Sequence, residues 1–282
     1  MTTFTEERVA LITGASNGIG RELARKLLSE GWQVIALNRS DFNKEDTQFI
    51  QSERQGRLRV FKADLADFVS LRSALNAIKE QVDKIDLLFN NAGGSLPKLR
   101  LSKQGRELHF DLQTAAPYII WMELKPLLLR GTMKTVINTS SHAFKTYTNF
   151  DSGQLEHPAS FKKLFGPYAA TKLALSLWTK ELAPSVSKEG ITMLSVDPGG
   201  NNTIRSVKQS GIPFYLKTVI KLFFPPPTAG ASLLYSAAIH ARNMQPGDFL
   251  VKGKAAKLKF TDQGSKVLQL VSSIYEAEFA AR

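Results

Sequence analysis

The sequence predicts an α/β fold: a Rossmann-type doubly wound parallel sheet of about seven strands, with helices on both faces, in a single domain. Three observations lead there. Short apolar runs alternate with segments of helical periodicity from Val9 to Val196. The apolar runs are continuous rather than in/out alternations, as strands buried on both faces require. The first run feeds into a glycine-rich turn that opens a helix.

Val9 to Thr13 is the first strand. Ile19 to Glu30 carries Leu23, Leu27 and Leu28 on one face and stops at Gly31, so it reads as a helix. Gln33 to Leu37 is the second strand and Arg59 to Lys62 the third, with a helix over Ser70 to Val82. Ile85 to Phe89 is the fourth strand, Leu108 to Leu129 a long helix and Thr135 to Asn138 the fifth strand. A helix over Tyr168 to Ala183 precedes the sixth strand, Ile191 to Val196, and Phe249 to Lys252 is the candidate seventh. Pro225-Pro-Pro227 breaks the pattern only locally, because it resumes at Thr228. With no internal repeat, low-complexity tract or linker, residues 1–282 read as one domain.

Composition excludes several chemistries. The chain has no cysteine, so disulfides, thiolate nucleophiles and cysteine-ligated zinc are ruled out. His109, His142, His157 and His240 are scattered, with no pair at metal-ligand spacing, and no metal site is expected. The net charge of +12 is spread along the chain, with loose clusters at Lys98 to Arg106 and Lys252 to Lys259 that lack interleaved aromatics. It reads as a solvated surface that also attracts an anionic cofactor, not as a nucleic-acid interface. No run approaches the roughly 18 apolar residues of a membrane span, and Met1 to Arg8 lacks the pattern of a secretory leader. The expectation is a soluble, cytoplasmic protein with no stable membrane insertion. Ile212 to Phe224 is apolar but interrupted by Pro213, Lys217 and Lys221, which leaves a packed helix and an interfacial helix as competing readings.

The turn is Thr13-Gly14-Ala-Ser16-Asn17-Gly18-Ile19-Gly20, spaced G-x-x-x-G-x-G. Its glycines allow a tight backbone to approach a pyrophosphate, and the following helix start offers unpaired N–H groups and a positive dipole end. The second strand ends in Leu37-Asn38-Arg39-Ser40. An acid there would bind an adenosine ribose 2′-hydroxyl; with none in the way, Arg39 can pair with a 2′-phosphate. The sequence therefore favours NADP(H), with NAD(H) as the weaker alternative.

Tyr168-Ala-Ala-Thr-Lys172 places a phenol and an ammonium at i and i+4, on one helix face. A phenol titrates near pH 10, and an adjacent ammonium is expected to lower that value, so the pair can exchange a proton with a carbonyl or alcohol oxygen. The fifth strand runs out at Thr139-Ser140-Ser141, which puts the Ser141 hydroxyl at the edge where ligands bind in open α/β sheets.

Together these residues resemble the short-chain dehydrogenase/reductase family. Thr13 to Gly20 is similar to its cofactor turn, and Asp64-Leu65 to the pair that contacts adenine. Asn90-Asn91-Ala92-Gly93 is similar to its N-N-A-G element, and Pro198-Gly199 with Thr203 to the segment that touches the nicotinamide end. Ser141, Tyr168 and Lys172 match its catalytic serine, tyrosine and lysine. The resemblance implies hydride transfer between nicotinamide and a carbonyl or alcohol carbon, and assembly as a homodimer or homotetramer. It also implies a substrate lid around residues 203–227, whose apolar composition points to a lipophilic or aromatic substrate. The long gap between Ser141 and Tyr168, the Thr228-Ala-Gly-Ala start and the tail from Gly247 to Glu276 resemble the retinol dehydrogenase and protochlorophyllide reductase branch. Two departures stand out. Gln113 takes the place of an asparagine whose backbone bends the long helix and whose carbonyl holds a water of the proton relay, and Asn201-Asn202 replace more apolar residues. The competing class is a non-catalytic NADP-sensing protein on the same fold.

Overall fold

The computed structural model describes residues 7–200 and 225–280. Thr203 and the lid positions 203–224 lie outside the described residues. The strands are β1 (Val9–Thr13), β2 (Gln33–Asn38), β3 (Leu58–Lys62), β4 (Leu87–Asn90), β5 (Thr135–Thr139), β6 (Thr192–Asp197), β7 (Phe249–Val251) and β8 (Lys254–Ala256). They form one sheet in the order β3-β2-β1-β4-β5-β6-β7-β8. β1 to β7 pair in parallel and β8 pairs antiparallel with β7. The strand order reverses between β1 and β4, and a ligand crevice opens beyond the carboxyl ends of such strands.

Every residue of β1 and β5 is buried, because helices cover both faces. Successive side chains still divide between two cores. Ala10 and Ile12 pack on the side of helices α1 (Gly18–Ser29), α2 (Thr47–Arg54) and α7 (Pro227–Ile239), while Val9 and Leu11 face the other side. That second core takes α3 (Phe68–Gln81), α5 (Ala116–Arg130), α6 (Pro167–Ser187) and α8 (Gly264–Ile274), with Trp121 and Trp178 among its buried side chains. No helix among the described residues is long and apolar enough to cross a membrane.

Three differences from the sequence expectation have local causes. The sheet has eight strands rather than about seven. The extra edge strand is three residues long and follows Lys252-Gly253, both with positive φ (51° and 75°), a tight turn with hairpin geometry. α2 shows no apolar periodicity because it buries only Phe49 and Ser52. The long helix is not continuous: α4 (Leu108–Phe110) passes through a π turn over Asp111–Ala115 before α5 begins. Pro117 lacks the N–H that would close the ordinary bond to the Gln113 carbonyl, and the turn widens, with Ala116 N donating to the Asp111 carbonyl.

Asp111, at the head of that π turn, is fully buried. Arg106 Nε donates to its Oδ1 at 2.8 Å and Ser102 Oγ to its Oδ2, while Arg106 Nη1 reaches Glu278 Oε1 at 2.5 Å. Arg72 donates to the carbonyls of Glu278 and Phe279, so the C-terminal π turn (Tyr275–Ala280) is strapped to the body by two arginines. Replacing Arg106 with Met would leave the Asp111 carboxylate buried without its cation. Urea denaturation should then give a loss of about 3–5 kcal/mol, the usual effect of removing one partner of a buried pair. A loss below about 1 kcal/mol would contradict this account of the network.

Candidate active site

The carboxyl ends of β1, β4, β5 and β6 converge, and the sequence-predicted residues collect there. Gly14 and Gly18 adopt φ of 68° and 54°, the left-handed region that favours glycine. Gly20 allows helix α1 to start against the turn: a Cβ there would lie 2.3 Å from the Gly14 carbonyl oxygen and 2.5 Å from Asn91 Nδ2. Thr13 Oγ1 accepts from both Asn91 N and Ala92 N at 2.9 Å, and Asn91 Nδ2 donates to the Thr13 carbonyl at 3.0 Å. The N-N-A-G segment thus clamps the glycine turn to the end of β4. Asn38 sits inside the fold, its Oδ1 accepting from Ala15 N at 2.6 Å, so it supports the turn from the end of β2.

The residues fit a dinucleotide phosphate. Asn17 stands at the cap position of α1 beside Ser16, makes no side-chain cap bond, and is followed by no acid in the first turn containing Ile19. The first-turn N–H groups of α1 are therefore not capped by a side chain. At the adenosine end no acid follows β2, but a carboxylate from elsewhere stands near Arg39. Asp64, from the loop after β3, lies 3.9 Å from Arg39 Nη1, with both side chains well exposed. Strand pairing brings it there, since β2 ends beside β3. An exposed pair at that distance contributes roughly 0–1 kcal/mol and yields readily to a phosphate. Leu65, beside Asp64, is buried.

α6 presents its first turn to the crevice. The Ser141 hydroxyl lies near enough to the Tyr168 phenol to favour its ionised form, and Ser141 Oγ accepts from Ala143 N at 3.2 Å, capping a short 3-10 turn. The insertion before α6 braces this start, with Tyr147 Oη donating to the Gly166 carbonyl at 2.7 Å. Lys172 is 3% exposed and its Nζ donates to the Thr139 carbonyl at 2.6 Å. Gln113, on the π turn, donates from Nε2 to Thr171 Oγ1 at 2.9 Å, and its Oε1 accepts from Gly94 N at 3.4 Å. A Cβ on Gly93 would fall 2.6 Å from Gln113 Oε1 and 3.3 Å from Lys172 Nζ, so a larger residue there would displace the ends of both side chains.

Electrostatics depart from the expected pairing. Burial pushes the Tyr168 phenol up, against the opposing effect of the Ser141 hydroxyl, and Asp197 pushes it further up. Burial lowers Lys172 to about 7, with Asp197 acting in the opposite direction. Because its own charge is suppressed and its amine turns to the Thr139 carbonyl, Lys172 does not lower the phenol as the i, i+4 spacing suggests. Asp197, at the end of β6, went unnoticed in the sequence; no motif marks it. Its Oδ1 accepts from Gly199 N at 3.0 Å, next to Pro198, and burial raises its carboxyl. No group of three or more metal-ligating side chains occurs among the described residues.

The family model for short chain dehydrogenases matches residues 8–153, and the chain belongs to that family: it is an oxidoreductase that uses a nicotinamide cofactor and acts on CH–OH or C=O groups. It is 29% identical to a short-chain dehydrogenase/reductase of Armillaria gallica, over 89% of this chain and 84% of that one. It is 28% identical to mouse retinol dehydrogenase 11, over 82% of this chain and 73% of the relative. Among solved structures, the Pseudomonas aeruginosa RhlG/NADP active-site complex superposes with a TM-score of 0.66 at 25% identity, covering 88% of this chain and 96% of that one.

The Lys172 shift has a consequence for stability. Its folded value, about 7, lies below the ordinary 10.5, so the unfolded chain binds more protons between those values. Unfolding free energy should therefore rise with pH from about 7 toward 10.5 by an amount that Lys172→Met abolishes. Urea denaturation of both proteins without cofactor, across that range, measures the difference; identical slopes would contradict it.

Proposed function

We propose that the protein reduces a lipophilic or aromatic carbonyl with NADPH, or runs the reverse oxidation, with Tyr168 as proton donor and Ser141 as its partner in holding the carbonyl oxygen. The observation that carries this reading is the placement of the Tyr168 phenol near the Ser141 hydroxyl at the carboxyl edge of the sheet, one helical turn from a buried lysine. When bound, the nicotinamide supplies or accepts the hydride. The backbone of Gly14 to Gly20, with Ser16, Asn17, Gly18 and Ile19, would hold the pyrophosphate; Asn38, Arg39, Asp64 and Leu65 would border the adenosine. Asn91, Ala92, Gly93, Lys172, Pro198, Gly199 and Thr203 would border the nicotinamide ribose and ring.

Within the protein, Tyr168 Oη protonates the developing alkoxide and Ser141 Oγ orients it. The raised phenol is protonated at neutral pH, which is the state reduction requires. Lys172 Nζ, held on the Thr139 carbonyl beside Gly93, would border the nicotinamide ribose, and Gln113 fixes the π turn and Thr171 beside it. Arg39, with no acid at the end of β2, supports NADP(H) over NAD(H). The similarity to a retinol dehydrogenase and the apolar residues Phe214, Tyr215, Leu216, Val219 and Ile220 support a lipophilic substrate. The resemblance to the family supports pairing as a homodimer or homotetramer.

A panel of retinal, decanal and 4-nitrobenzaldehyde with NADPH and NADH tests the reading. Tyr168→Phe should lower turnover by about 10²–10⁴-fold while NADPH still quenches protein fluorescence with similar affinity. Near-full turnover in that variant would end the assignment. Arg39→Ala should raise the Kd for NADPH by about tenfold, the effect of losing one charge-assisted phosphate contact, and leave NADH unchanged. Equal loss for both cofactors would instead mean that Arg39 serves the fold.

A further inference from the structure

Glu107 and His109 stand at the start of α4 and are wholly buried. His109 Nδ1 lies 2.7 Å from Glu107 Oε1, and Leu96 N donates to His109 Nε2 at 3.0 Å. A backbone amide can only donate, so Nε2 is the unprotonated nitrogen and Nδ1 carries the hydrogen toward the carboxylate. The second carboxylate oxygen of Glu107 accepts from Phe110 N at 3.0 Å. The imidazole is therefore held at both nitrogens and its anchor is held at both oxygens. Turning the ring breaks two hydrogen bonds in a site closed to water, where each lost bond leaves a buried polar group unpaired.

That fixed ring meets the Tyr168 ring edge-on, with centroids 6.0 Å apart and planes at 74°. The segment it holds at Leu96 follows Gly93-Gly94 after one residue, Ser95, and Gly94 N is bound by Gln113 Oε1 at 3.4 Å. One imidazole thus touches the reacting phenol on one side and the wall of the crevice on the other. A leucine or phenylalanine at this position would leave the Glu107 carboxylate buried without its ring partner and could not hold Leu96 N.

We propose that His109, fixed in its Nδ1–H form by Glu107, is a positioning residue for the reaction: it packs on Tyr168 and anchors Leu96 N, holding the phenol and the Gly94–Leu96 wall in register. This rests on Tyr168 being the proton donor. His109 touches neither substrate nor cofactor in this role; it acts through the phenol and the loop.

Two variants separate its contacts. H109F keeps a ring beside Tyr168 and loses both hydrogen bonds, while H109Q offers an amide oxygen to Leu96 N and loses the ring. Each is checked by circular dichroism and thermal melting, by NADPH titration, and by kcat and KM with the fastest aldehyde of the panel. H109F should lower kcat by about 10- to 100-fold, the scale of a 1 Å misplacement, with NADPH affinity within about twofold of the parent. The decisive measurement is the double variant. In a Tyr168→Phe background the H109F substitution should change the residual rate by less than about twofold, because the group it positions is gone. A kcat for folded H109F within about twofold of the parent, or the same fold-loss in both backgrounds, would overturn the proposal. Should H109F fail to fold, H109Q carries the same pair of measurements. Full turnover by Tyr168→Phe alone refutes the donor assignment, an outcome distinct from an inert His109.

Discussion

A buried ammonium organises this crevice. Lys172 is almost fully enclosed, and its nearest acceptor is a backbone carbonyl, Thr139, rather than a carboxylate. Enclosing a charge in that way is costly, and the amine responds by losing much of its affinity for protons. The surroundings follow from what the amine requires. β5 must end where its last carbonyl can accept, a side chain on Gly93 would displace the end of the amine, and the π turn must bring Gln113 Oε1 to the same space. Asp197 supplies the compensating negative charge from the end of the next strand.

The scaffold holds those parts through polar ties that cross from strand to strand. Asn90 Nδ2 donates to Asn138 Oδ1 at 2.8 Å, and Asn138 Nδ2 to Thr179 Oγ1 at 2.8 Å, which joins β4, β5 and α6 in one buried chain. Ser140 Oγ lies 2.7 Å from Ser176 Oγ and donates to the Lys172 carbonyl at 3.1 Å. α6 is thereby fixed along the end of β5 over two turns, so the phenol and the amine are carried by a rigid element. Rigidity of this kind keeps reacting groups in productive geometry without reorganisation during the reaction.

Much of this was legible in the residue order. The alternation of apolar runs and helical periods is a property of buried strands and amphipathic helices, so the parallel sheet and its helices follow from pattern alone. The glycine turn and the Tyr168–Lys172 pair were legible because their spacing within single elements is short, and Ser141 because it follows the end of an apolar strand. The π turn was not visible in the periodicity, since Pro117 sits in a run that otherwise reads as one helix; only the resemblance at Gln113 pointed to a bend there. Glu107 and His109 were hidden for a different reason. Residues two apart do not face each other on a helix, but Glu107 lies outside the helix with extended backbone (φ −57°, ψ 129°), and its side chain folds back onto the ring.

By itself the sequence determined the fold class and pointed to the glycine turn and the Tyr168–Lys172 pair as the proposed site, because each is a pattern of residues close together along the chain. Only the tertiary structure decided their electrostatic state. Burial raised the phenol and lowered the amine, Asp64 came up beside Arg39 from the neighbouring strand, and Asp197 entered the crevice from β6. Desolvation and long-range charge depend on what the folded chain places around a group, and no local pattern of residues records that.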